Sequence, residues 1–177
     1  MRRQNRSCGL DLWFINKFKE VYYPSRLHLS CCHTQHGDTS CLLHSIAVAY
    51  ISYRIAARLK FLNFKKHELV RGALLHDYFL YDWHDRAAAI KLHGFFHPAH
   101  ALKNAEVDFK LGVIERDIIA KHMFPLTLCP PRYRESVLVC LVDKLCSVYE
   151  TVKRGAYHNR QIRHAYMLAQ AKEVAPC

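Results

Sequence analysis

At 177 residues, 51% of them apolar, the chain suits one domain with its own core and is too apolar to stay disordered. Six Gly and six Pro are too few for a many-turned β architecture and favour long helices. Lys and Arg total 26 against 15 Asp and Glu, and this net charge of +11 serves either general solubility or the concentration of anions such as phosphorylated metabolites and nucleic acid. No nucleic-acid signature accompanies the charge, so nucleic acid stays open as a partner without leading.

Residues 8–20 place Leu10, Phe14, Ile15 and Phe18 at helical spacing. A loop is expected over 21–37. Asp38, Thr39 and Ser40 are N-cap candidates for a helix from Cys41 to Lys60, with Leu43, Ala47, Tyr50, Ile51, Ile55 and Leu59 near one face. A third helix begins near Lys66 and ends on His76-Asp77. A short one is expected over 86–93, ended by Gly94, and Pro98 suits the first turn of the next, Ala99 to Lys110. Glu115 to Met123 follows, stopped by Pro125. The longest remaining helix, about Arg132 to Lys153, is expected to bury Val137, Leu138, Leu141, Val142, Leu145 and Val148. Gly155 breaks it, and Asn159 to Val174 reads as a weak, polar final helix. No alternating strand pattern stands out. The fold class is all-α, a single-domain helical bundle with an extension over 1–35, a domain over 36–150 and a basic C-terminal helix or tail over 151–177.

The eight cysteines form no CxxC pair, and Cys41, Cys140 and Cys146 fall in apolar helical stretches, where a thiol behaves as a small hydrophobe. Structural disulfides are not expected. No apolar run reaches signal-peptide or membrane-spanning length, so the expected compartment is the cytoplasm, with no membrane partner.

The chemistry starts at ALLHD, residues 73–77. Alone, a His followed by Asp at a helix end reads as a capping imidazole beside a solvated carboxylate. It is not alone. His44 interrupts the apolar stretch CLLHSIAVAY, and Asp143 interrupts VLVCLVDKLCSVYE. Polar groups on core faces need partners, and one divalent metal would satisfy His44, His76, Asp77 and Asp143 together. His97, before a Pro-started helix, and His122, at the end of an apolar run, could ligate a second metal with a carboxylate bridging the pair. His93 or His100 could replace His97. His36 reads first as a turn cap, the aromatic run 78–84 as core, and the basic tail from Lys153 to His164 as a solvated face.

The ordered set His44, His76-Asp77, Asp143 resembles the HD superfamily of metal-dependent phosphohydrolases, over roughly residues 36–150. The segments around His97 and His122 resemble the added His-containing helices of its two-metal members. The stretches HGxTSCLLHSIAVAY, ALLHDYFLYDWH and HMFPLT are similar to those of a bacterial group of HD-domain proteins. The resemblance implies that His44, His76, Asp77 and Asp143 bind a first metal, that Asp77 bridges as the catalytic carboxylate, and that His97 and His122 bind a second. It also implies cleavage of a phosphate ester, of a nucleotide or similar phosphorylated metabolite, by a metal-activated hydroxide. One or two ions of Mn, Fe, Co, Ni, Mg or Zn would suit these donors. The sequence departs from the family where Tyr78, Phe79 and Leu80 replace the usual Gly and Lys after the His-Asp pair. Lys144, Arg71, Lys121 and Arg132 are the candidates for the missing phosphate contact. No Gly-Tyr-Pro follows His122, so action on cyclic di-guanylate is not supported. Two alternatives belong to the same resemblance: a di-iron oxygenase on the same ligands, and a non-catalytic nucleotide-sensing module.

Overall fold

Ser40 starts the central helix. Its Oγ accepts a hydrogen bond from Leu43 N at 3.3 Å and satisfies one of the open amides of the first turn. In the computed structural model, which describes residues 2–32, 34–36, 38–78, 93–153, 155 and 157–173, that helix is α2, Cys41–Arg58. The other helices are α1 (Arg2–Tyr22), α3 (Lys66–Leu75), α4 (His93–Asp108), α5 (Val113–Lys121), α6 (Arg134–Val152) and α7 (Arg160–Glu173). The architecture is all-α, as the apolar periodicity requires.

α2 packs against α3, α6 and α7, and α5 packs against α3, α4 and α6. An apolar stripe was expected on α2, but the helix is buried nearly all round, including Leu42, Ile46, Val48, Ala49 and Tyr53. A helix surrounded by others has no solvent face to keep polar. Phe14, Phe18 and Tyr22 of α1 join the same core, as do Leu69, Val70 and Leu74 of α3 and Ile118 and Ile119 of α5. The final helix is better anchored than its polar composition suggests. Ile162, Ala165 and Ala169 are buried, Asn159 Oδ1 accepts from Gln161 N at 3.0 Å, and Tyr22 OH donates to the Ala169 carbonyl at 3.1 Å.

Several expectations need correction. α1 starts well before residue 8, because Arg and Gln favour a helix without adding an apolar period to its sequence. The 21–37 loop contains a 3-10 helix, Leu27–Cys32, and a strand. That strand, β1 (Thr34–His36), pairs antiparallel with β2 (Thr39–Ser40), Thr34 opposite Ser40. Strands of two and three residues are too short for alternation to show in sequence. α4 begins at His93, so Gly94 does not end a helix there and Pro98 lies inside one. Of the helix expected over 86–93, residues 86–92 lie outside the described residues, as do residues 79–84 of the aromatic run 78–84, whose Tyr78 is buried as expected.

The largest correction concerns α6. Val137, Leu141, Leu145 and Val148 are 44%, 56%, 70% and 64% exposed, whereas Val142 is buried. The inward face carries Glu135, Ser136, Val139, Cys140, Val142, Asp143, Cys146 and Glu150. α6 is aliphatic on both faces, so its period does not fix its orientation. Its buried carboxylates do, because each needs a partner in the core. Glu135 Oε1, for instance, accepts from Lys65 N at 2.7 Å and caps α3. Among the described residues, no helix is long and apolar enough to cross a membrane.

Candidate metal centre

Two helices end alike. α3 ends on His76 and α5 on His122, both still in helical conformation. The Nδ1–H of each donates to a carbonyl three residues back, His76 to Ala73 O at 2.7 Å and His122 to Ile119 O at 2.8 Å. That bond places a proton on Nδ1 and turns Nε2, the other ring nitrogen, inward. His44 comes from the first turn of α2, His97 from α4 and Asp143 from the inner face of α6.

Asp77 joins these groups. Its Oδ2 lies 3.3 Å from His76 Nε2 and 3.9 Å from His44 Nε2. Its Oδ1 lies 3.2 Å from His97 Nε2 and 3.3 Å from His122 Nε2. Asp143 Oδ1 is 3.1 Å from His44 Nε2 and 3.6 Å from His76 Nε2. The Nε2 atoms of His97 and His122 are 2.8 Å apart. All six residues are buried. The structure therefore brings His44, His76, Asp77, His97, His122 and Asp143 together.

The electrostatics are those of a buried cluster in which carboxylates and imidazoles face one another. Burial pulls the His44 imidazole down, but Asp143 and Glu150 outweigh it and raise it to about 9. Burial acts the same way on His76, and Asp77 and Asp143 reverse it. Burial would raise Asp77 and Asp143, yet the surrounding imidazoles hold both carboxyls well below the usual range. His122 is lowered, chiefly by burial. A cation is what such a site accepts most readily.

A divalent metal fits these donors. His44, His76 and Asp77 form one group with ligand atoms within 4.8 Å of one another, and Asp77, His97 and His122 form a second. Donors on one small ion stand roughly 3 Å apart, given metal–ligand bonds of about 2.1 Å. His76 Nε2 is buried and faces the Asp77 and Asp143 oxygens at 3.3 and 3.6 Å, which suits an atom meant to ligate beside them.

The remaining candidates sort by position. His100 is exposed on α4, one turn beyond His97, while the side chains of His36 and His93 lie outside the described residues. Lys144 Nζ donates to the His122 carbonyl at 2.8 Å and so touches the cluster's edge. Arg71 donates to Lys110 O at 3.0 Å and lies over the Phe109 ring, and Lys121 pairs with Asp117 at 2.7 Å. The Arg132 main-chain amide also donates to Asp117, at 2.8 Å.

Sequence reading missed Glu150. Its two oxygens lie 3.0 and 2.9 Å from His44 Nδ1, and Tyr157 OH donates to Oε1 at 2.6 Å. The signal was present, since Glu150 stands seven residues after Asp143 and shares its helix face.

Residues 42–147, more than half of the chain, match the family model for the HD domain, and the chain belongs to that family. All six clustered His and Asp residues fall within the matched stretch. The superfamily is of the metal-dependent phosphohydrolase type, which accords with donor groups that could hold a metal. No curated protein and no solved structure matches the chain.

Proposed function

We propose that this chain is a metal-dependent phosphohydrolase that cleaves a phosphate ester of a nucleotide or similar small phosphorylated metabolite. The observation that supports this most is the place of Asp77, whose two oxygens each face a different pair of imidazoles. In this reading His44, His76, Asp77 and Asp143 hold one divalent ion, His97 and His122 hold another, and Asp77 is shared. The ions supply Lewis acidity towards phosphoryl oxygens and acidify water near neutral pH.

The chain's own residues do the rest. The Nδ1–H bonds of His76 and His122 fix their rings before any ligand arrives, so little reorganisation is left to binding. Burial of all six side chains keeps bulk water from screening the charges. Lys144, whose Nζ donates to the carbonyl of the cluster residue His122, is the one of the four cationic candidates assigned to steady a phosphate oxygen. The excess of basic residues concentrates an anionic substrate.

The test is phosphate release from a panel of nucleoside monophosphates and simple phosphomonoesters. The purified chain is loaded in turn with manganese, cobalt, nickel, iron, zinc or magnesium, and Asp77→Ala serves as control. Release by at least one metal form, lost in the variant, is expected. Oxygen uptake by the ferrous protein with no phosphate release from any form would overturn the reading in favour of an oxygenase.

A further inference from the structure

His44 differs from the other oriented imidazoles of the centre. The Nδ1–H groups of His76 and His122 rest on neutral carbonyls of their own helices, whereas that of His44 rests on a carboxylate from a different helix. Glu150 is 1% exposed, lies within hydrogen-bond reach of the ring through both oxygens, and stands beyond the end of the family match at residue 147. Its Oε1 also accepts from Tyr157 OH at 2.6 Å. Tyr157 lies in the segment leading into α7, outside the match as well. A carboxyl buried this deeply is costly without such partners, so its place in the core has a purpose beyond packing.

We propose that Glu150, steadied by Tyr157, is a positioning residue that sets the tautomer and basicity of His44, making the C-terminal segment part of the metal centre. The proposal rests on the metal-binding reading above. A carboxylate accepting Nδ1–H keeps that proton in place, leaves Nε2 as the ligating atom and makes the ring a stronger donor than a carbonyl partner would. The chain thereby treats its two ion positions differently. The group containing His44 receives negative charge from behind, while the His97 and His122 group depends on Asp77 alone among the carboxylates of the two groups. Tyr157 keeps one Glu150 oxygen occupied, which limits rotation of the carboxyl about the ring nitrogen.

Cobalt titration of the full chain, followed by visible absorption and by metal content after gel filtration, tests this. Two ions are expected in the wild type. Glu150→Gln, which keeps the shape and removes the charge, should weaken one ion about tenfold to a hundredfold and leave the other unchanged. Tyr157→Phe should weaken the same ion by less. Imidazole 15N spectra of the zinc-loaded protein give a second readout: the His44 Nδ1–H proton should move upfield in Glu150→Gln, with the His76 and His122 signals unmoved. If Glu150→Gln does not fold, the cobalt affinity and His44 signal of Tyr157→Phe decide. A wild-type chain that binds no cobalt overturns the metal reading itself. Wild-type binding of two ions, with unchanged affinities and an unchanged His44 signal in the variants, overturns the positioning role alone.

Discussion

Gly72 of α3 lies directly against Ile118 of α5. A Cβ at position 72 would stand 2.6 Å from Ile118 Cδ1 and 3.1 Å from its Cβ. Four residues further along each helix, one turn on, come His76 and His122, whose rings meet edge to face with centroids 4.9 Å apart. The absent side chain at position 72 thus sets how closely the two histidine-bearing helix ends approach. Gly72→Ala should gain about 1 kcal/mol in helix propensity and lose about 1–3 kcal/mol to overpacking. A lower urea midpoint is expected. Gly9→Ala is the control, since nothing lies within 4 Å of its added Cβ, and it should raise the midpoint. A Gly72→Ala protein more stable than wild type would show that the α3–α5 contact relaxes freely.

The shared carboxylate makes a sharper prediction about metal number. If Asp77 serves both groups, Asp77→Ala should lose both ions, whereas His122→Ala should retain one. His76→Ala should lose the ion of the His44 group. Helical content by circular dichroism should survive in all three, because these side chains sit at the ends or inner face of formed helices. Metal analysis after dialysis decides, and full occupancy in Asp77→Ala would remove it from the centre.

Much of this centre was legible because polar residues in core helices are conspicuous. His44 and Asp143 each interrupt an aliphatic run, and His76-Asp77 closes one. Orientation was not legible on α6, where aliphatic residues occupy both faces and only the carboxylates show which faces inward. Glu150 stands behind His44, and its role appears only through its contact with the ring's far nitrogen, which spacing along the chain does not reveal. Pro98 suits a first turn so well that sequence alone starts a helix there, whereas α4 begins five residues earlier, at His93.

Acid should loosen the junction of α5 and α6. Asp117 accepts from Arg132 N at 2.8 Å and Tyr133 N at 3.3 Å and pairs with Lys121. Burial would raise its carboxyl, but Lys121, Ser136 and those amides outweigh burial and hold it below its ordinary 3.8. Its folded form therefore binds a proton less readily than the unfolded chain. The stability it contributes is present above the ordinary value and is lost as pH falls through 3.8 towards the lowered one. Asp117→Asn should be less stable than wild type at about pH 6, and the gap should narrow towards about pH 3. Chemical denaturation across that range measures it, and a gap independent of pH would mean that the charge contributes nothing.

The cysteines give a test of the inner face of α6. Cys140 and Cys146 are buried thiols on that face, and Cys129 is an exposed thiol on the connection before it. Burial pushes the Cys146 thiol up to about 12, far from the roughly 8.5 of a solvated one. Cys140 Sγ is closed in by the Phe124 carbonyl at 3.4 Å and Lys144 Nζ at 3.2 Å. Alkylation needs both a thiolate and access, so iodoacetamide at mildly alkaline pH should label Cys129 in the native protein and leave Cys140 and Cys146 untouched. Unfolding in urea without reductant should then open both to labelling, because no covalent bond holds them. Peptide mass mapping of the two samples separates the cases. Labelling of Cys146 in the native protein at the rate of Cys129 would mean that α6 turns a different face to the core, and would displace Asp143 and Glu150 from the centre with it.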